Sequence, residues 1–111
     1  AFTIEFWMWN QDTDHIQYSA YSPCQIHIGT FQQNNIAIRF NNNGTEFRST
    51  INGTNTAHTV SIPEQTWVHV AFTRDSSGDC RFFLGGTQIG STYSNTSTID
   101  PASMENISRD I

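Results

Sequence analysis

Residues 66–90 constrain the fold more than any other stretch, because they predict three successive strands joined by two tight turns. Residues 66–74 carry apolar side chains on both faces of an extended strand, which is typical of a strand inside a sheet. Ser76-Ser77-Gly78 offers turn formers with a glycine for a positive φ angle. Gly85-Gly86, between two apolar runs, indicates a two-residue hairpin. We therefore expect a meander in which 66–74 is the central strand.

The rest of the chain also reads as short strands between turn signals, with no helical period. Asn52-Gly53 predicts a type I′ turn, and Pro63 ends the strand before the meander. Strands spaced as closely as these indicate a β-sandwich or a barrel. The predicted strands are 2–9, 15–20, 24–32, 35–41, 45–51, 57–62, 66–74, 80–85 and 86–91.

The segment 92–111 differs from the rest by its start, which is rich in Ser, Thr and Asn. Asp100 as N-cap and Pro101 at the first helical position allow one helical turn there. No closing strand is predicted after the meander. The sequence therefore divides into a sandwich domain at 1–91 and a polar tail or linker at 92–111.

The charge of the chain excludes some classes of partner. All five basic residues are Arg, there is no Lys, and ten acids give a net charge of -5. Such a chain lacks the basic patch that binding to a nucleic-acid backbone requires. It also has no basic amphipathic helix and no apolar run near the ~20 residues of a membrane span. Because the chain opens directly on a strand, we expect a processed product or a piece of a longer protein.

Two segments carry a resemblance to a known family. One is the run 2–8, Phe-Thr-Ile-Glu-Phe-Trp-Met, and the other is the meander, through Trp67, His69, Val70, Ala71, Gly78, Phe83 and Gly86. Together they resemble the laminin G-like jelly rolls of the concanavalin A-like lectin/glucanase superfamily, over residues 2–91. Gly85 stands where that family usually has Asn or Asp.

The resemblance implies an all-β fold, an antiparallel β-sandwich of jelly-roll type. Members of the family normally continue past the meander with a Gly-rich segment and a closing strand. The sandwich is therefore expected to be incomplete at its C-terminal end. A strand from elsewhere, or from another chain, would have to cover the open edge of the sheet.

The carboxylates do not form the pair that glycoside hydrolysis needs. Glucanases of this fold use one acid to protonate the leaving group and a second to attack or to activate water. Glu5 lies on a predicted strand beside Trp7, but no second acid follows on its face, and Asp12 and Asp14 lie in a turn. The four His and two Cys show no zinc-binding spacing. We therefore expect no enzymatic activity.

A carbohydrate site would need an exposed aromatic platform with amides and acids beside it. The candidates lie at the end of the first strand and in the segment that follows: Trp9, Asp12, Asp14, His15, Tyr18 and Tyr21. Asp12 and Asp14 are also the best candidates for a calcium site, followed by Asp75 and Asp79, because related domains often hold Ca²⁺ at a loop rim. The alternative is that these acids are turn formers bonded to the local backbone. No other cofactor is expected.

The tryptophans allow two interpretations. Trp7 and Trp9 alternate with Phe2, Ile4, Phe6 and Met8, so their indoles lie off that apolar face. They either form an exposed platform or pack under strands from elsewhere, and we favour packing because Trp contributes a large area to sandwich cores. The meander is expected to be held by packing of Trp67, Val68, Val70, Phe72, Phe82 and Leu84.

Cys24 and Cys80 permit one disulfide, which would stabilise the chain by ~4 kcal/mol in the chain-entropy description, or they remain two reduced thiols. Asn-x-Ser/Thr sequons occur at Asn43, Asn52, Asn95 and Asn106. They would accept glycans in a eukaryotic secreted protein, although several are expected by chance in a chain so rich in Asn, Ser and Thr.

Two classes of function fit these observations. The first is a non-catalytic recognition module that binds a surface glycan or a neighbouring protein subunit, at an extracellular or virion surface. The second is a structural assembly subunit, such as a phage capsid-decoration, tail or fibre domain, or a surface-layer component. The strand Gly86-Thr87-Gln88-Ile89-Gly90 resembles those of jelly rolls in bacteriophage structural proteins. In both cases we expect part of a larger chain or oligomer, without nucleic-acid binding or membrane insertion.

Overall fold

The structure, a computed structural model, describes residues 1–11, 25–29, 35–41, 45–99 and 107–110. This part of the chain contains strands and no helix, so no helix in it could cross a membrane. In chain order the strands are β1 (Phe2–Trp9), β2 (Gln25–Gly29), β3 (Asn35–Asn41), β4 (Glu46–Ile51), β5 (Thr54–Thr59), β6 (Trp67–Arg74), β7 (Asp79–Leu84), β8 (Thr87–Ser94) and β9 (Ile107–Asp110). All of their pairings are antiparallel, which confirms the predicted all-β, antiparallel class.

The first compact unit comprises Ala1–Asp12 and Ile62–Thr96, and its four-stranded sheet has the order β1-β6-β7-β8. β6 is therefore an interior strand, as its two apolar faces predicted. One face of the sheet is buried and contains Phe72 opposite Phe82. Phe2 of β1 packs edge-on against Phe72, with 5.5 Å between the ring centroids. This buried face explains the alternating burial along β1 and β6.

Glycines close both turns of the meander. Gly85 and Gly86 have φ angles of 59° and 83°, the left-handed pair that a two-residue type I′ hairpin requires. The β6–β7 turn passes through Gly78, whose φ angle is 90°. A Cβ atom added there would lie 2.7 Å from Cγ2 of Thr96 and 3.2 Å from the carbonyl oxygen of Asn95, so the turn has no room for a side chain. The predicted meander is confirmed.

The second compact unit comprises Thr13–Ser61 and Ser97–Ile111, and its five-stranded sheet has the order β5-β4-β3-β2-β9. Phe40 of β3 pairs with Phe47 of β4, and their ring centroids are 5.6 Å apart. Both rings are buried, as are the neighbouring side chains Ile36, Ile38, Ser49 and Ile51. Asn52 and Gly53 have φ angles of 48° and 81° and join β4 to β5, which confirms the predicted type I′ turn.

The strand boundaries differ most from the prediction at β5 and β8. β5 begins at Thr54 rather than at 57, because a two-residue turn brings Thr54 directly opposite Ile51. β8 continues to Ser94, past the predicted end at 91. It does so through a shifted register with β7, and Gly90 within it has a φ angle of 70°, which is typical of the extra residue in a bulge.

The segment predicted to be a polar tail contributes strand residues to both sheets. Residues 92–94 belong to β8, and β9 pairs with β2. The expectation that no strand follows the meander is therefore wrong, and the reason is that β9 has only one apolar residue, Ile107, and so no periodic signal. The predicted strand at 15–20 and the helical turn near Asp100 lie outside the described residues.

Cys80 is a free cysteine and is buried. Its Sγ atom lies 3.6 Å from the carbonyl oxygen of Gly78, and burial raises the pKa of the thiol. No disulfide is seen in the described ranges, and Cys24, the predicted partner, lies outside them. Of the two alternatives, the free thiol is the one that the structure contains at Cys80.

Candidate functional site

The pairing of β1 with β6 places aromatic and polar side chains in a row on one face of the four-stranded sheet. Trp9 lies opposite Trp67, and the next rung in the same direction sets Trp7 opposite His69. Glu5 follows two residues further along β1. Because side chains on a strand alternate, this row lies on the face opposite to the buried Phe72. We call this row the tryptophan face: Glu5, Trp7, Trp9, Trp67 and His69.

The three indoles of the tryptophan face are exposed: 65% for Trp7, 46% for Trp9 and 62% for Trp67. Adjacent side chains on the same strand, such as Val68, are buried on the other face. The predicted packing of Trp67 in the meander is therefore wrong, and Trp7 and Trp9 are exposed although packing was favoured for them. Large contiguous patches of exposed apolar groups are common at interaction sites, so the tryptophan face is the candidate functional site of the described residues.

The rings of the tryptophan face contact one another edge to face. The centroids of Trp9 and Trp67 are 5.8 Å apart with 64° between the ring planes. Trp7 and His69 are 5.3 Å apart at 61°. These are the tilted arrangements that aromatic pairs prefer, and each such contact helps to hold the rings in place. The indole nitrogen of Trp9 also lies 3.5 Å from Oε1 of Gln11.

A carboxylate and an imidazole provide the polar part of the face. Nε2 of His69 lies 3.3 Å from Oε2 of Glu5, and the pair is an ion pair when the imidazole is protonated. The side chain of Glu5 is 63% exposed, whereas that of His69 is 30% exposed. A carboxylate offers about four lone-pair positions, so Glu5 can accept further hydrogen bonds from a ligand.

Of the residues predicted to form a ligand site, the structure describes Trp9 and brings it together with Trp67. The other predicted site residues, namely Asp12, Asp14, His15, Tyr18 and Tyr21, lie outside the described residues. The sequence did not indicate that Glu5, Trp7, Trp67 and His69 belong to one surface. The available signal was that Trp7 and Trp9 lie off the apolar face of their strand, and that Trp67 and His69 share one face of theirs. Which strands pair, and in which register, is a long-range property.

Of Asp75 and Asp79, the second pair of calcium candidates, Asp75 acts as a turn former, and the side chain of Asp79 lies near Arg81. Oδ1 of Asp75 accepts hydrogen bonds from the backbone N–H groups of Ser77 and Asp79, at 2.9 and 3.0 Å. Nη1 of Arg81 lies 3.0 Å from Asp75 Oδ2, and Nη2 lies 3.6 Å from Asp79 Oδ2. The guanidinium of Arg81 therefore already occupies the place beside these two carboxylates where a bound cation would lie. In the described ranges no group of three or more His, Cys, Asp or Glu could hold a metal.

Two clefts lie elsewhere on the described surface. One of about 270 Å³ is lined by Thr45, Glu46, Ala57, His58 and Thr59. In it, Glu46 is held 2.8 Å from Arg48, and burial lowers the pKa of His58.

The second cleft, of about 400 Å³, is lined by residues 1–3 and 73–75. There the guanidinium of Arg74 lies 5.2 Å from the centroid of the Phe2 ring and donates to the carbonyl oxygen of Asn95 at 3.3 Å. Each cleft is lined by a single described carboxylate, so neither has the acid pair that glycoside hydrolysis uses.

Comparison with protein families gives one match. The sequence profile of the family described as the concanavalin A-like lectin/glucanases superfamily matches residues 1–109. The match includes both segments that carry the resemblance and extends through most of 92–111. No curated protein and no solved structure matches the chain.

Proposed function

The chain belongs to the concanavalin A-like lectin/glucanases superfamily, and from that premise we propose that it is a non-catalytic recognition module that binds carbohydrate through the tryptophan face. The observation that carries the proposal is the exposure of three indoles in two adjacent rungs of β1 and β6. The family assignment gives an antiparallel β-sandwich, and its members include both lectins and glucanases.

The chemistry of the face matches that of a sugar. A pyranose ring presents C–H groups on its faces and hydroxyl groups around its rim. Exposed indoles offer apolar surface for the C–H groups, and each indole N–H can donate to a hydroxyl oxygen. Glu5 and His69 lie in register with the indoles and supply further hydrogen-bonding groups. A site that combines aromatic side chains with a few fixed polar groups is typical of small-molecule recognition.

The charges on the face support recognition rather than hydrolysis. Retaining glycosidases hold two carboxyl groups about 5–5.5 Å apart, and inverting enzymes about 6.5–9.5 Å apart. Glu5 is the one carboxylate that the described residues place on the tryptophan face, and its partner at 3.3 Å is an imidazole. We therefore propose binding without bond cleavage.

An extracellular or virion surface, with a surface glycan as the ligand, is the setting we propose for this module. Laminin G-like domains are often extracellular, and the net charge of -5 with no Lys fits neither nucleic acid nor anionic lipid as a partner.

Calcium remains a proposal for Asp12 and Asp14, and no step of sugar binding is assigned to it. A rise in melting temperature with CaCl₂ that EDTA reverses would support it, and unchanged melting would contradict it.

A second candidate function, a subunit of a structural assembly, is favoured by β8. This strand lies at one end of the four-stranded sheet, and none of its eight residues is charged. Long edge strands without charges are prone to pair with another chain. The shifted register around Gly90 counters this tendency, because a bulge twists the edge of a sheet. Concentration-dependent self-association in light scattering would favour assembly over the recognition module.

The test of the first proposal is a glycan array, followed by calorimetric titration of the best ligand. We expect Trp67→Ala and Trp7→Ala to weaken binding about tenfold or more, because truncation of a central Trp typically costs about 2 kcal/mol at an interface. Trp67→Phe should retain part of the affinity, and Ser91→Ala, at an exposed position of β8, should leave it unchanged.

The Trp variants must also be shown to be folded. Because Trp67 is exposed, Trp67→Ala should lower the free energy of unfolding by about 1 kcal/mol or less, the range of one cross-strand pair. Loss of binding with retained stability would support the proposal. Glycan binding that is unaffected by both Trp variants would place the site elsewhere and contradict it.

A further inference from the structure

The tryptophan face also carries information on the class of carbohydrate. We infer that its ligand is a neutral oligosaccharide chain that lies along β1 and β6, rather than a single sugar or an acidic glycan. This inference rests on the proposed function and adds two properties to it, the length of the ligand and its charge. Both follow from the register of the strands and from the charged groups that the structure describes near the face.

The length of the face exceeds that of one sugar ring. Along β1 the face runs from Trp9 to Glu5, and at ~3.4 Å per residue this is about 14 Å. Within that length the face has three rungs: Trp9 with Trp67, Trp7 with His69, and Glu5 with Ala71. A single pyranose covers one rung, so a ligand that uses the indoles and the carboxylate together must be a chain of sugars.

The tilt of the rings favours separate sugar units over one flat surface. The planes of Trp9 and Trp67 differ by 64°, and those of Trp7 and His69 differ by 61°. Rings inclined in this way cannot all lie against the flat side of a crystalline polysaccharide. The ring pairs on successive rungs can instead contact successive units of a single, twisted chain in solution. Ala71, which lies in register between Glu5 and Phe83, is itself buried, so at that rung the exposed carboxylate of Glu5 is the group available to a ligand.

The charges around the face exclude an acidic glycan as the preferred ligand. Glu5 is the most exposed ionisable group on the face, and His69 lies 3.3 Å from it. The nearest Arg side chain is that of Arg81, which lies opposite Thr73, two residues beyond Ala71 along β6. It contacts Asp75 and Asp79. A sulfate or carboxylate on the ligand would meet the charge of Glu5, in a chain with net charge -5.

The experiment measures the affinity of the intact chain for two series of ligands. The first is neutral gluco-oligosaccharides of one to six units, with β-1,4 or β-1,3 linkages. The second is acidic chains of matched length, namely oligogalacturonates and heparin fragments. We expect the affinity for neutral chains to rise about tenfold or more from one to three units and then to level off. The acidic chains should bind at least about tenfold more weakly.

Variants connect the selectivity to the face. Glu5→Gln should reduce the discrimination against acidic chains about threefold or more, and the matched control Glu46→Gln, which removes the same charge from the other unit, should not. Trp7→Ala should weaken the binding of a trisaccharide more than that of a monosaccharide. All measurements are made at pH 7 and at one salt concentration.

The possible failures are distinguishable. If neither series binds, the proposed function and this inference both fail. If sugars bind through the tryptophans, but acidic chains bind as tightly as neutral ones, or affinity does not depend on length, the inference alone is overturned. If binding is selective but identical in Glu5→Gln and in Glu46→Gln, the assignment of selectivity to Glu5 is overturned.

Discussion

Asp75 shows how one carboxylate organises the turn between β6 and β7. It accepts hydrogen bonds from the backbone N–H groups of Ser77 and Asp79 and from the guanidinium of Arg81. The hydrogen bond from Arg81 is the main reason why the pKa of Asp75 lies below its ordinary value, and the backbone hydrogen bonds add to it. The folded state therefore favours the charged form of this side chain more than the unfolded state does.

The depressed pKa of Asp75 makes stability depend on pH. A carboxyl whose pKa is lower in the folded state contributes stability above its unfolded pKa of about 4 and loses it as pH falls through the folded pKa. We therefore expect the urea midpoint to fall on acidification below about pH 4. In Asp75→Asn this fall should be smaller, while Asp79→Asn, the carboxylate at 3.6 Å from Arg81, should change it less. Parallel profiles for the wild type and Asp75→Asn would contradict the assignment.

At the scale of elements, the two turns of the meander need glycine for different reasons. At Gly85 and Gly86 the φ angles are positive, but an added Cβ would meet nothing within 4 Å. At Gly78 a positive φ coincides with a close approach to Thr96. The Gly85-Gly86 turn therefore restricts only the backbone conformation, whereas the Gly78 turn also restricts the volume of the side chain.

The hairpin at Gly85-Gly86 should accept one substitution and reject another. Asn tolerates the left-handed conformation at the first position of a type I′ turn. Gly85→Asn should therefore raise the free energy of unfolding by about 0.5 kcal/mol, because it lowers the conformational entropy of the unfolded chain. Gly86→Val should lower it by about 1–2 kcal/mol, because a β-branched residue is strained at positive φ.

Chemical denaturation of the two hairpin variants measures both effects, and Gly78→Ala serves as a reference for a turn that has no room. Equal stability of Gly85→Asn and Gly86→Val would contradict the turn assignment. A loss in Gly78→Ala no larger than that in Gly86→Val would contradict the steric restriction at Gly78.

At the scale of the whole molecule, folding shields the thiol of Cys80 from solvent. The side chain is fully buried, and burial raises its pKa, so little reactive thiolate forms at neutral pH. A reagent can then reach the sulfur only after local or global unfolding of the protein. The rate at which the thiol is modified therefore reports on unfolding rather than on the intrinsic reactivity of a surface cysteine.

Alkylation with iodoacetamide tests the state of the thiol. Without reductant, we expect Cys80 of the native chain to remain unmodified for far longer than in urea, with mass spectrometry as the readout. Rapid modification of the native chain would contradict burial. In urea, alkylation of both Cys24 and Cys80 without reductant would show that no bridge links them, whereas protection of both until a reductant is added would show the disulfide.

Local sequence patterns were sufficient to predict the class of the fold and most of its strands. Alternating apolar residues and the turn signals at Asn52-Gly53 and Gly85-Gly86 are local, so they can be recognised without knowing which strands pair. The local signal was weaker at β5, where a tight turn shifted the start of the strand to Thr54. It was absent at β9, which has no apolar alternation and forms a strand by pairing with β2.

The exposure of the tryptophans, in contrast, follows from the way the strands pair. The sequence placed Trp7 and Trp9 off the apolar face of β1 and predicted that Trp67 packs in the meander, but it could not state whether another layer covers these side chains. The register of β1 with β6 brings residues from distant parts of the chain into one exposed face, beside the Glu5–His69 pair. Pairing of this kind uses backbone hydrogen bonds that nearly every residue type can make, so the sequence of one strand does not identify a distant strand as its partner.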